Sequence, residues 1–253
     1  MTSADSPVAV ITGASSGIGK QVALALAEKG WRVIGTGRSP DRIAQAQDEI
    51  RAVSQTGEVE MIRADLSLLA EAMELADRIK ALTARVDLLA LLRTAAKESE
   101  PGRVRIINTA SDASEMIPSI NLDDMQNLQN FSPGLAYCTG KLANVLFARA
   151  LASRLGDDGI AVHAVHPGAV DSNFFSYAPD DTQERARELD KVSEQEGADT
   201  LIWLATEEEG GLTSGGYWFR REARAPNPVV EDAAAVDRFW RESEKLVNKV
   251  LGA

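Results

Sequence analysis

Tyr137 and Lys141 stand four residues apart in a strongly helical stretch, so both side chains project from one face on successive turns. An ammonium beside a phenol stabilises the phenolate, and an oxidised nicotinamide would add further positive charge. The spacing therefore predicts a Tyr137 pKa lowered toward working pH, and a phenol that gives or takes a proton at a carbonyl or alcohol. One such pair is weak evidence by itself. Ser111 strengthens it, because it falls just past an apolar strand, at the carboxyl edge where open α/β sheets bind ligands. Its hydroxyl can polarise the same oxygen.

A second constellation opens the chain: Thr12, Gly13, Ala14, Ser15, Ser16, Gly17, Ile18 and Gly19 follow the first strand directly and lead into a helical pattern. Glycines permit a tight turn and close backbone approach, and a helix N-terminus presents free N–H groups to a pyrophosphate. Gly13, Ser15, Ser16, Gly17, Ile18 and Gly19 are therefore candidate dinucleotide-binding residues. The second strand ends in Gly35, Thr36, Gly37, Arg38 and Ser39, with no acid to take both ribose hydroxyls. Arg38 instead suits a 2'-phosphate through charge-assisted hydrogen bonds, which predicts NADP(H). Asp65, followed by Leu66, either accepts from the adenine amine or caps the next helix. After the sixth strand, Pro167 and Gly168 can turn the chain against a nicotinamide, with Val170 alongside and Ser172 placed to bind the carboxamide. His166 reads as structural because nothing in the sequence partners it, and Cys138 as a packed thiol. Phe174, Phe175 and Tyr177, followed by the charged run 180–191, are placed to cover a substrate, although the run itself reads as a solvated helical face rather than a binding surface.

The elements that must position these groups alternate. Short β-branched runs at 8–12, 32–36, 59–63, 86–90, 103–109, 160–165 and 216–219 read as strands. Helical patterns occupy 17–29, 41–53, 66–83, 136–155, 192–206 and 236–250. This is the pattern of an α/β fold, a doubly wound parallel sheet of about seven strands with helices on both faces, in one domain over residues 1–253. One connection is strained: about 12 residues, 91–102, must cross back over the sheet. Ten helical residues cover roughly 15 Å against about 17 Å for a five-residue strand, so the fourth crossover helix is at most a stub.

Composition excludes several classes. The 253 residues carry 27 Lys plus Arg against 38 Asp plus Glu, a formal charge of −11 that repels nucleic acid and anionic lipid. A single Cys and two His, His163 and His166, make neither a disulfide nor a metal cluster. No apolar run is long enough to span a bilayer, and a cytoplasmic location is expected.

Together, Thr12-Gly13 with Gly17 and Gly19, Ser111, Tyr137 with Lys141, and Pro167-Gly168 resemble the short-chain dehydrogenase/reductase family. The stretch from Gly134 to Phe147 (GLAYCTGKLANVLF), the later Val165 to Gly168, and the 26 positions from Ser111 to Tyr137 resemble its retinol-dehydrogenase-like subgroup. The resemblance covers nearly the whole chain. It implies a Rossmann-fold NADP(H) oxidoreductase acting on a lipophilic alcohol, aldehyde or ketone, with Ser111, Tyr137 and Lys141 catalytic and Lys141 also holding the nicotinamide ribose. One departure stands out: where the family has an Asn-Asn-Ala-Gly motif and a long helix with a further catalytic asparagine, Leu89-Ala90 runs into Leu91-Leu92-Arg93-Thr94. A block of about 35 residues is missing relative to the family pattern at this junction, where the crossover was already too short. With it go the wall of the adenine-ribose site, the asparagine that holds a relay water near Lys141, and much of a helix that relatives use to dimerise, which would weaken a homo-oligomer. The rival reading is a catalytically impaired NADP(H)-binding or regulatory protein of the same fold; a sugar-nucleotide epimerase or dehydratase is disfavoured by the glycine spacing.

Overall fold

The computed structural model describes residues 6–252 except 84–87, 173, 175 and 177–179. Its elements run β1 (Val8–Ile11), α1 (Gly17–Glu28), β2 (Arg32–Gly37), α2 (Pro40–Val53), β3 (Val59–Arg63), α3 (Leu69–Thr83), α4 (Leu88–Lys97), β4 (Arg105–Thr109), α5 (Pro133–Leu155), β5 (Ala161–Val165), α6 (Asp180–Arg187), α7 (Glu194–Thr206), α8 (Glu209–Leu212), β6 (Tyr217–Phe219), β7 (Glu222–Ala223) and α9 (Ala233–Leu251). The protein is an α/β molecule of the Rossmann type, its strands largely parallel and its helices alternating with them.

Contacts gather in two compact units. The first, residues 1–94 and 169–202, holds a parallel sheet in the order β1-β2-β3. Val33, Ile34, Ile62 and Ala64 bury its centre, and Leu75 and Ile79 of α3 pack on Ile34 and Ile62. The second, residues 95–168 and 203–253, holds β4-β5-β6-β7, parallel except for the last pair. β5 is buried along its whole length. The second unit's long helix, α5, starts where Ser132 accepts from the Leu135 N–H and Pro133 occupies the first turn, where its missing N–H costs nothing. Its buried residues, among them Leu142, Val145, Leu146, Leu151 and Leu155, point to more than one side of the helix, so α5 is packed around much of its circumference rather than along a single stripe.

Two differences from the sequence expectation bear on the site. The strand expected at 86–90 is not formed at Leu88–Ala90, which instead begin α4; Val86 and Asp87 lie outside the described residues. The run LLALLRTAAK is made almost wholly of strong helix formers. With few residues left before β4, the helix extends back through the segment that would have been strand. Conversely, β7 was not expected: Arg220 and Arg221, at φ 52° and 62°, turn the chain so that Phe219 pairs with Glu222.

Candidate active site

In the first unit the glycine turn is locked to the neighbouring strand. The Gly13 N–H donates to Thr36 Oγ1 at 3.3 Å, and Thr36 is buried near the C-terminal end of β2. Gly13 sits at φ 71°, a conformation a side chain resists. Gly19 serves close approach: a Cβ there would lie 2.5 Å from the Gly13 carbonyl oxygen and 3.2 Å from that of Thr12. Neither backbone atom can yield without opening the turn. Gly19→Ala should therefore cost about 1–3 kcal/mol of stability, measured by denaturant unfolding, and weaken binding of a reduced nicotinamide dinucleotide in fluorescence titration; an unchanged midpoint would show that the turn relaxes freely. Ser16 caps α1 in an extended conformation but makes no side-chain cap bond, so its first-turn N–H groups are left for a ligand.

Arg38 follows β2 and is exposed, and its charge helps to hold the Asp65 carboxyl below the usual carboxylate range. The larger cause is local: Asp65 Oδ1 accepts from Ser67 Oγ at 2.7 Å and from the Ser67 N–H at 3.1 Å. Asp65 is thus committed through one oxygen to the turn that precedes α3. It does not cap that helix, which begins at Leu69, and Leu66 lies exposed on the turn. Val170 is buried and bridges to Val192, while Ser172 Oγ accepts from the Phe174 N–H at 3.4 Å. Phe175 and Tyr177 lie outside the described residues, and the charged segment that follows forms α6.

In the second unit Ser111, Tyr137 and Lys141 come together. Ser111 starts a short 3-10 turn, Asp112–Glu115, immediately beyond β4, and is hydrogen-bonded to Tyr137 from α5. Lys141 Nζ lies 5.6 Å from the Tyr137 ring centroid and donates to the Thr109 carbonyl at 3.2 Å. That carbonyl also accepts from Asn144 Nδ2 at 2.9 Å, so two residues of α5 converge on the last residue of β4. Pro167 and Gly168 follow β5, with Gly168 at φ 90°.

The expected lowering of the Tyr137 pKa is not what the structure gives. Burial pushes the phenol up, the Ser111 hydrogen bond opposes this, and the Asp112 carboxylate and Cys138 add to the rise. Lys141 is itself pulled down by burial, its ammonium spent on a backbone carbonyl. Burial likewise raises the Cys138 thiol, which fits a packed rather than a reactive cysteine.

His166 does have a partner. Its Nδ1 accepts from the Asp112 N–H at 3.2 Å, and its Nε2 lies 3.7 Å from Asp112 Oδ2. A sequence carries no signal of a contact between residues 54 positions apart, although the Asp directly after Ser111 is visible in it. Asp112, Asn144 and Thr36 are the site residues that sequence reasoning missed. His163 is structural: Trp218 Nε1 donates to its Nδ1 at 3.0 Å and its Nε2 lies 3.0 Å from the Gly210 carbonyl. Among the described residues, no group of three or more His, Cys, Asp or Glu could hold a metal, and no helix is long and apolar enough to cross a membrane.

A β-α-β turn with paired glycines, together with a Ser, Tyr and Lys gathered at the carboxyl end of a parallel strand, defines a dinucleotide-dependent oxidoreductase of the Rossmann class. The chain belongs to the short chain dehydrogenase family, whose model matches residues 7–97 and 90–183, and it is retinol-dehydrogenase-like. Bovine dehydrogenase/reductase SDR family member 13 is 31% identical over 278 aligned positions, covering 94% of this chain and 72% of the relative. The putative daunorubicin C-13 ketoreductase DnrU of a Streptomyces species is 30% identical, covering 94% and 91%, and mouse retinol dehydrogenase 13 is 30% identical, covering 96% and 84%. The bovine alignment draws on only 94% of 253 residues, so about 40 of its 278 positions have no counterpart here. Among solved structures, a Pseudomonas aeruginosa RhlG/NADP active-site complex superposes with a TM-score of 0.65 at 25% identity, covering 83% of this chain and 93% of that one. L-sorbose reductase from Gluconobacter frateurii, complexed with NADPH, shares the fold at TM-score 0.63 and 19% identity, covering 87% and 97%.

Proposed function

We propose that the protein exchanges a hydride between NADP(H) and a lipophilic alcohol, aldehyde or ketone. The observation that carries this reading is the Ser111–Tyr137 hydrogen bond with Lys141 beside the phenol. The residues present fit the cofactor. The α1 amides, uncapped by any side chain, and the close-packed glycine turn suit a pyrophosphate, held by Gly13, Ser15, Ser16, Gly17, Ile18 and Gly19. Arg38 would pair with the 2'-phosphate, Asp65 and Leu66 would border the adenine, and Pro167, Gly168, Val170 and Ser172 would face the nicotinamide. When bound, the cofactor supplies or takes the hydride. Tyr137 holds and moves the proton at its phenolic oxygen, Ser111 orients the substrate oxygen, and Lys141 binds the ribose and tunes Tyr137. Met116, Leu128 and Phe131, exposed on the segment that joins Ser111 to α5, support an apolar substrate.

The test is NADPH oxidation against a panel of lipophilic aldehydes and ketones, beside hydrophilic controls such as sugars. Turnover of the hydrophilic set alone would overturn the substrate class. Cofactor choice is tested separately: Arg38→Asp should weaken NADP(H) binding by at least about 1 kcal/mol, or roughly fivefold, through a lost charge-assisted contact and new repulsion. Equal wild-type affinity for NAD(H) would remove the assignment. The second reading, an impaired nucleotide-binding protein, is favoured by the roughly 40 positions without counterpart.

A further inference from the structure

We propose that Asp112 is a positioning residue that decides where the proton between Ser111 and Tyr137 resides, holding the phenol as the protonated partner. This deepens the reading above and rests on Tyr137 being the group that exchanges the proton.

The argument is a count of donors and acceptors. Ser111 has one hydroxyl proton and two lone pairs. The Ala113 N–H can only donate, and it reaches Ser111 Oγ at 3.2 Å. The Asp112 carboxylate can only accept, and its Oδ1 lies 2.9 Å from the same Oγ. Ser111 therefore spends its proton on Asp112, and only a lone pair is left for Tyr137. At rest Tyr137 donates and Ser111 accepts, so the lowering that Ser111 can exert on the phenol is realised only when Ser111 turns its own proton toward the phenolate.

Ionising Tyr137 reverses this. A phenolate can be met by Ser111 only if the serine turns its proton away from Asp112, so the carboxylate and the phenolate compete for one hydrogen. Asp112 opposes the phenolate a second time through its charge, while Lys141 sits beside the ring but directs its ammonium to Thr109. Asp112 is in turn fixed from behind by His166, a buried ring against which Phe219 packs at 4.7 Å. The other charged groups near that ring, Glu115 and Arg224, are bound to each other at 2.8 and 2.9 Å and leave Asp112 free for Ser111. The resting site is thereby loaded with its proton on Tyr137, the state that a carbonyl reduction consumes. A substrate oxygen entering the site must take the Ser111 proton from Asp112, so Asp112 also sets how readily Ser111 can polarise it.

The test titrates the phenol in the full chain without cofactor, by ultraviolet difference absorbance, with Tyr137→Phe subtracted to isolate Tyr137 from the other two tyrosines. Asp112→Ala should lower the Tyr137 midpoint by roughly one pH unit, and Asp112→Asn, which keeps a neutral acceptor, by less. In a Ser111→Ala background the Asp112→Ala shift should fall to half or below, and Asp112→Glu should restore part of the wild-type midpoint. The Asp112 side chain is 52% exposed, so these variants should fold, with near-ultraviolet circular dichroism as the check. An unmoved midpoint in Asp112→Ala, or an equal shift with and without Ser111, overturns the proposal. Because the readout needs no turnover, a shifted midpoint in a protein that reduces no carbonyl would leave the positioning role standing and remove only the oxidoreductase reading.

Discussion

Tyr137→Phe should lower the turnover of a lipophilic ketone by about 10²–10⁴-fold, the range that a positioned general acid contributes, while NADPH affinity changes by less than about threefold. The change removes one oxygen and the proton it carries. It leaves the ring packed on α5, and it leaves untouched the glycine turn and Arg38, which belong to the other compact unit. A loss confined to kcat, with cofactor binding measured by fluorescence titration intact, is the signature of an interaction made in the transition state only. If kcat is undiminished, Tyr137 is not the acid. If NADPH affinity falls in parallel with kcat, the phenol is structural and the mechanism fails in a different way.

The site was legible in the sequence as far as periodicity and local spacing reach. Tyr137 and Lys141 meet because four residues make one helical turn, and Ser111 joins them because it closes a strand parallel to β5. The glycine turn was legible because a strand, three glycines and a helix succeed one another without interruption. What failed was everything set by environment. Proximity of Lys141 implied an acidified phenol, but the fold buries Tyr137, faces it with Asp112 and sends the ammonium to the Thr109 carbonyl, so the balance runs the other way. Asp65 resembled a helix cap, yet Ser67, two residues on, takes its Oδ1 first. The 86–90 segment has the apolar run of a buried strand, but such a run cannot be told from a helix by period alone, and its continuation into Leu91, Leu92, Ala95 and Ala96 settled the matter for helix.

That segment underlies the second large expectation: the chain of 27.2 kDa should turn over lipophilic carbonyls far below the roughly 10 per second typical of enzymes. Three observations support a lost strand-and-helix block at the Ala90/Leu91 junction. The family match falls into two stretches that overlap at 90–97, as if one profile were interrupted there. Among the described residues, β1 pairs only with β2 and β4 only with β5, so each presents an unpaired edge, and Val8 and Val10, which share one face of β1, are exposed for want of a covering element. Among the described residues, Asn108 Nδ2 on β4 is buried with no hydrogen-bond partner, a state that costs about 1–3 kcal/mol and that further packed structure on β4 could relieve. Lys141 directs its ammonium to the Thr109 carbonyl, and if the relay asparagine that the family resemblance implies went with the block, proton resupply to Tyr137 should limit the rate. Inserting a strand-and-helix block of about 35 residues from a retinol-dehydrogenase-like relative between Ala90 and Leu91 should raise turnover at least tenfold, tighten NADPH binding and raise the melting temperature. Intact mass of the protein made from its own gene must accompany the assay, because a mass substantially above 27.2 kDa would place the block in the native protein and make ordinary turnover the expected result. Ordinary turnover by a protein of 27.2 kDa would sink the argument that the short crossover impairs catalysis.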